Sequence, residues 1–310
     1  MSAVDISLFS DVAKVLRNDP AIIEKDYWVT QCLSILSKLE ITGYQLVLSG
    51  GTCLAKAHCN TFRMSEDIDI KLVPLDTTLC LSQSRQRQLK RVVQQAVIHA
   101  IAQSTYFSLI QPPKIRNVGK YQQFLIAYPQ HYSHLSALRS HLQLELTESR
   151  LLEPAVALSL DSLYANTLRL DKEIDVMDCV SVESIACEKF VSILRRTALH
   201  ARDSTRPDDA TLIRHVYDLH LIYALMPKPA AWKNKVAEVI ALDCVQFGNK
   251  HAALVQDPIT ELQYGLALLV DQSLHKQRYA QFIGPLVYHP APASWDTALK
   301  SVQSLADYWL

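Results

Sequence analysis

Gly50-Gly51 stand side by side at the end of an apolar run, and Asp67-Ile68-Asp69-Ile70 follows a short distance on. Three of the chain's seven glycines fall within the nine residues from Gly43 to Gly51. Gln45 to Leu48 reads as a strand, Thr52 to about Asn60 as a helix, and Met64 to Leu72 as a second strand. The glycine pair lets the backbone turn sharply between the first strand and the helix. Strand side chains alternate, so Asp67 and Asp69 leave one face together with Ser65. Glu66, Ile68 and Ile70 leave the other.

That arrangement has a chemistry. Two like charges on one face repel, and a divalent cation between them relieves the repulsion. Two Mg²⁺ ions (Mn²⁺ as the alternative) about 3.5–4 Å apart would bridge Asp67, Asp69 and a nucleoside triphosphate. Gly50 and Gly51 let backbone approach phosphate without a Cβ in the way. Thr52 opens a helix whose first N–H groups favour anions. Lys56 lies one turn on and leans back toward that end, and Arg63, preceding the acidic strand, is a second phosphate candidate. A third carboxylate is common at such sites. Glu145 is the candidate, on the polar face of the alternating strand His141–Thr147, opposite Leu142, Leu144 and Leu146. A residue on a half-solvated sheet surface is the competing reading of Glu145. The layout is that of a nucleotidyltransferase site.

With 310 residues and 49% hydrophobic content, the chain can build a core in two lobes. We expect an α/β (α+β) lobe over 1–180, a mixed sheet with flanking helices, and a helical lobe over 181–310, with the boundary near Val180. Ser84 to Ile101 reads as a helix with Arg85, Arg87, Lys90 and Arg91 on one side and Leu89, Val92, Val93, Ala96 and Val97 inward. Helices are expected at Ser181–Arg196 and Asp209–Met226, with breaks at Pro227, Pro229, Pro258 and Pro285. On spacing alone, Lys189 can snorkel along its helix or point across a cleft. Asp218 can pair with Arg214 one turn before it. His131 and His134 suggest a metal only faintly, since no acidic or cysteine partner is spaced for zinc.

The formal charge is zero, with 31 basic and 31 acidic residues. No global field attracts nucleic acid, so a polynucleotide must be held by a local basic surface. The seven cysteines form no CxxC pair and read as free thiols in a reducing cytoplasm. Neither a signal peptide nor a membrane span is expected.

The pattern as a whole resembles the AbiEii/AbiGii-type nucleotidyltransferase toxins, within the DNA-polymerase-β-like superfamily. The matching pieces are Glu24-Lys25-Asp26-Tyr27-Trp28, Ser49-Gly50-Gly51-Thr52 with Leu54 and Lys56, and Arg63-Met64-Ser65-Glu66-Asp67-Ile68-Asp69. Glu188-Lys189-Phe190 and Arg214-His215-Val216-Tyr217-Asp218-Leu219 follow. The resemblance implies a toxin of a bacterial toxin–antitoxin or phage-defence pair. Such a toxin would transfer a nucleotide from an NTP to RNA, tRNA foremost, and have a cognate antitoxin as partner. By position it implies metal-ligand roles for Asp67 and Asp69, nucleotide contacts at Gly50, Gly51 and Ser65, and phosphate contacts at Lys56 and Arg63. It adds catalytic or nucleotide-binding roles for Lys189 and Asp218 that spacing does not. Two alternatives stand beside it: a same-fold enzyme acting on a protein or small molecule, and a catalytically silent nucleotide-binding protein.

Overall fold

The structure, a computed structural model, describes residues 5–132, 135, 138–206, 208–225 and 229–310. His134, Met226 and Pro227 lie outside them. The chain divides into two compact units, Met1–Ser181 and Val182–Leu310.

The first unit is built on a mixed sheet. Its strands are β1 (Tyr44–Ser49), β2 (Asp67–Pro74), β3 (Ser108–Leu109), β4 (Lys114–Arg116), β5 (Tyr121–Ala127), β6 (Leu142–Glu148), β7 (Val156–Leu160) and β8 (Ile174–Cys179). The order is β3-β5-β6-β2-β1-β8-β7, with β4 on β5. β2 runs antiparallel to β1 and parallel to β6. β1 and β8 are parallel, and β5 and β6 antiparallel.

Alternation gives the sheet two unlike faces. Ile68, Ile70, Leu72, Phe124, Ile126, Leu142, Leu144 and Leu146 are all buried on the back. Helices α1 (Ser7–Leu16), α2 (Pro20–Leu36), α3 (Gly50–Cys53), α4 (Asp76–Leu79) and α5 (Gln83–Gln103) belong to this unit. α2 starts where Asp19 accepts the Ala21 N–H and Pro20 occupies the first turn. α5 is tied to the back face by Lys90 Nζ, 2.8 Å from Glu148 Oε2, and by Gln122 Nε2, which donates to the Lys90 carbonyl. Lys90 is therefore buried and Val92 is half exposed, the reverse of the expected sides, because Glu148 requires a cation where it enters the core.

Two element boundaries also differ from expectation. The second strand starts at Asp67, not Met64, because the buried Arg63 guanidinium bonds the Met64 carbonyl and holds that stretch off the ladder. The helix after the glycines has one α-helical turn, then becomes a π-helical turn at Leu54–His58, where His58 Nε2 meets the Val180 carbonyl at 2.7 Å.

The second unit is helical. After α6 (Leu163–Leu168) in the first unit come α7 (Val182–Arg202) and α8 (Arg214–Leu225). Lys233–Phe247, Ala252–Gln256, Pro258–Asp271, Ser273–Leu286 and Trp295–Trp309 follow. Pro258 starts its helix rather than breaking one, and Pro285 lies just inside the end of its own. Phe190 packs edge-on against Trp309 with ring centres 4.8 Å apart. No helix among the described residues is long and apolar enough to cross a membrane.

Candidate active site

The turn out of β1 determines the site. Ser49 is extended, and Gly50 then takes φ +73°, a left-handed conformation that side chains resist. A Cβ on Gly50 would sit 3.0 Å from Asp69 Cγ and 3.1 Å from its Cβ. A Cβ on Gly51 would fall 2.6 Å from Arg63 Nη2 and 2.8 Å from Ser65 Oγ. The space freed by the two missing side chains is thus filled by Asp69 on one side and by Arg63 and Ser65 on the other. The glycines bring those three groups onto the loop backbone.

Thr52 is fully buried, and its hydroxyl is spent inside the protein. Oγ1 lies 2.5 Å from the Asp67 carbonyl and 3.0 Å from Ser65 Oγ, which fastens α3 to the start of β2. Ser49 Oγ donates to the Asp69 carbonyl at 3.1 Å. Ser65 precedes the strand instead of lying in it, and reaches the site through Gly51 and Thr52. With α3 only four residues long, its dipole contributes little.

Asp67 and Asp69 are half-buried on the front of β2. Ser49 faces Asp69 from β1, and Glu145 faces it from β6. Glu145 Oε1 accepts N–H groups from Gln143 at 2.8 Å and Gln123 at 3.0 Å. Asp67 Oδ1 is paired with Arg139 Nη1. The two aspartates are hard oxygen donors on one face and suit a divalent cation. Among the described residues, no three His, Cys, Asp or Glu side chains are gathered as a metal cage.

Arg139 is a site residue that sequence reasoning missed. Its backbone N–H donates to Glu66 Oε2 at 2.9 Å, and its carbonyl accepts from Lys25 Nζ at 2.6 Å. Lys25 Nζ is also 2.5 Å from Glu66 Oε2, with both side chains buried. Burial alone would raise the Glu66 carboxyl, but the Lys25 charge and its hydrogen bonds hold it below the ordinary carboxylate range. The flanking residues of α2 work in the same way. Glu24 accepts the backbone N–H groups of His131 and Tyr132 and pairs with His131 Nδ1 at 2.7 Å. Asp26 accepts the Leu163 N–H and pairs with Lys56 at 2.7 Å. Three consecutive charges in an apolar helix stretch were the available signal, since buried charges require partners.

The remaining expected residues are placed as follows. Lys56 is held by Asp26 in the interior, and its Nζ is 3.5 Å from the Asp161 carbonyl. Arg63 is buried against Gly51. In the second unit, Lys189 Nζ of α7 meets Asp218 Oδ2 of α8 at 3.0 Å, both buried, so Lys189 does not snorkel. The basic set there is neutralised by acids: Arg195 by Asp243, Arg196 by Asp209, Arg202 by Glu261 and Arg206 by Asp203.

The family model for the nucleotidyl transferase AbiEii toxins of type IV toxin–antitoxin systems matches residues 34–301. The chain belongs to the AbiEii family. It is a nucleotidyltransferase of the toxin branch, and the matched span carries the glycine turn, both aspartates, Lys189 and Asp218. The span begins within α2, beyond Glu24–Trp28. No curated protein matches the chain. Among solved structures, the nucleotidyltransferase toxin MenT4 from Mycobacterium tuberculosis H37Rv is similar in fold. The TM-score is 0.52 at 16% identity, over 99% of this chain and 100% of that one. For this AbiEii member the mixed α/β architecture expected from the sequence is the architecture found.

Proposed function

We propose that this AbiEii-family chain transfers a nucleoside monophosphate from an NTP to a terminal hydroxyl of RNA, with tRNA as the foremost acceptor. The observation that carries the reading is the packing of Asp69 against Gly50, with Asp67 on the same face of β2. It puts paired carboxylates directly beside a backbone turn that phosphate can approach. Gly50, Gly51 and Ser65 would line the triphosphate, with Arg63 behind them. Mg²⁺, or Mn²⁺ in its place, would be held by Asp67 and Asp69 and would supply charge neutralisation and a more acidic attacking hydroxyl.

The acceptor oxygen attacks the α-phosphorus, its proton leaves to solvent or a nearby base, and the bond to the bridging oxygen breaks as pyrophosphate departs. This chain's contribution is alignment and charge. Arg139 holds Asp67 in a fixed orientation before substrate arrives. Family resemblance assigns catalytic or nucleotide-binding roles to Lys189 and Asp218. A cognate antitoxin and a cytoplasmic, phage-defence setting follow from the same family reading.

Purified protein incubated with labelled NTPs, Mg²⁺ and total RNA is expected to yield labelled RNA, and Asp67→Ala and Asp69→Ala to abolish it. Label that enters only protein or a metabolite would transfer the reading to another acceptor. Equal labelling by Asp67→Ala would refute it.

A further inference from the structure

The sheet register links the site to its far edge. One row runs Ser49, Asp69, Glu145, Gln123, Lys114 across β1, β2, β6, β5 and β4. The next row on the same face runs Lys71, Thr147, Tyr121, Arg116. From β2 outward none of these side chains is buried, and Lys114 and Arg116 are exposed. The back face of β2, β6 and β5 is closed by the core, while Ile115 on the back of β4 is exposed. An open polar shelf therefore leads from the carboxylates to two edge cations. At about 4.8 Å per strand, Lys114 lies about 14 Å from Asp69 along its row, a distance that a few nucleotides of single strand cover.

Between Asp76 and Glu145 the sequence has no acidic residue but eight lysines and arginines, within a chain whose net charge is zero. Of these, Lys114 and Arg116 stand in the two rows of this shelf, whereas Arg85, Arg87, Lys90 and Arg91 belong to α5. Lys114 and Arg116 form no ion pair among the described residues, unlike Arg195, Arg196, Arg202 and Arg206. Direction follows from the turn. Ser49 to Gly51 occupies the β1 side of Asp69, so a triphosphate on that turn leaves the β6 side to the attacking hydroxyl, which must approach opposite the leaving group.

We propose that the open face from Glu145 to Lys114 and Arg116 is the track for the single-stranded 3′ end of the RNA acceptor, with its backbone phosphates on the two edge cations. The proposal rests on the RNA-transfer reading above. Tyr121, half-buried in the second row of this face, gives the track an aromatic surface midway for a base. The face is polar and cationic, so the contacts are to backbone and tolerant of sequence.

The test uses the full chain and a short single-stranded oligoribonucleotide with a free 3′-hydroxyl, followed by fluorescence anisotropy across a salt series. Lys114→Ala combined with Arg116→Ala should weaken binding and reduce the slope of log affinity against log salt by about 1.4, at about 0.7 per single-strand phosphate. NTP affinity by calorimetry and the melting temperature should not change. If the wild type labels RNA yet the double variant keeps its affinity and slope, the track is wrong while RNA transfer stands. If the wild type labels no RNA, the transfer reading fails and the track fails with it. Loss of binding to polyglutamate with RNA binding intact would also overturn the proposal, in favour of an acidic protein partner.

Discussion

Lys25 and Glu66 offer the sharpest test of how the site is held. Both side chains are buried, 0% and 5% exposed, and they pair with each other beside Arg139 and Asp67. Lys25→Met leaves a buried carboxylate with no cation at 2.5 Å, which costs about 3–5 kcal/mol. Glu66→Leu alone strands the ammonium and costs a similar amount. The double variant removes both charges and retains only the loss at Arg139, whose N–H and carbonyl lose partners at 2.9 and 2.6 Å. That residue of the loss is about 1–3 kcal/mol. The cycle should therefore close with a favourable coupling of at least about 2 kcal/mol. Urea-dependent hydrogen exchange of the α2 and β2 amides measures it within this unit. Transfer activity should stay low in the double variant although stability recovers, because the backbone of Arg139 is no longer anchored beside Asp67. Additive single effects, or full activity in the double variant, would refute the reasoning.

Further outcomes follow from the same geometry. Gly50→Ala should cost about 1–2 kcal/mol for its left-handed backbone and displace Asp69, lowering kcat on the order of 100-fold; wild-type kcat in a folded variant would contradict this. Arg139→Ala should strengthen Mn²⁺ binding in calorimetry, since the guanidinium competes for Asp67 Oδ1; unchanged affinity would show that the ion pair is incidental. Glu66 is held below its ordinary value of 4.5, so the unfolded state takes up its proton first as pH falls. The stability it contributes is complete above that value and is lost below it, and Glu66→Gln should flatten acid denaturation there. Lys189→Met should destabilise the helical unit by about 3–5 kcal/mol by removing the cation 3.0 Å from the Asp218 carboxylate, which is 0% exposed; a melting shift near zero would argue against a buried charged pair.

Much of the site was legible because it is local. The alternation of Asp67 and Asp69 and the glycine pair fix faces and a turn from neighbouring residues alone, and the register then placed Glu145 opposite Asp69. Long-range pairing was not legible. Lys56 looked free to reach phosphate, but Asp26 is 30 residues away in sequence and adjacent in space. Lys90 looked like one of a solvated row until Glu148, 58 residues on, drew it inward. Arg139 carried no motif at all, and its role depends on contacts to residues 72 and 114 positions away. Helical spacing described the stripe containing Lys189, but it could not reveal that Asp218 would close on it.

The neighbour relations of β1 bear on how this chain is made. Gln45 in β1 bonds Asp178 in β8, 133 residues later, and the Val180 N–H donates to the Leu48 carbonyl. A ribosome working at about 5–20 residues per second needs roughly 7–27 s to deliver the second strand after the first. During that interval the strand that ends in the glycine turn lacks one of its two flanking strands. The sheet that carries the glycine turn is therefore complete around β1 only after β8 has been made.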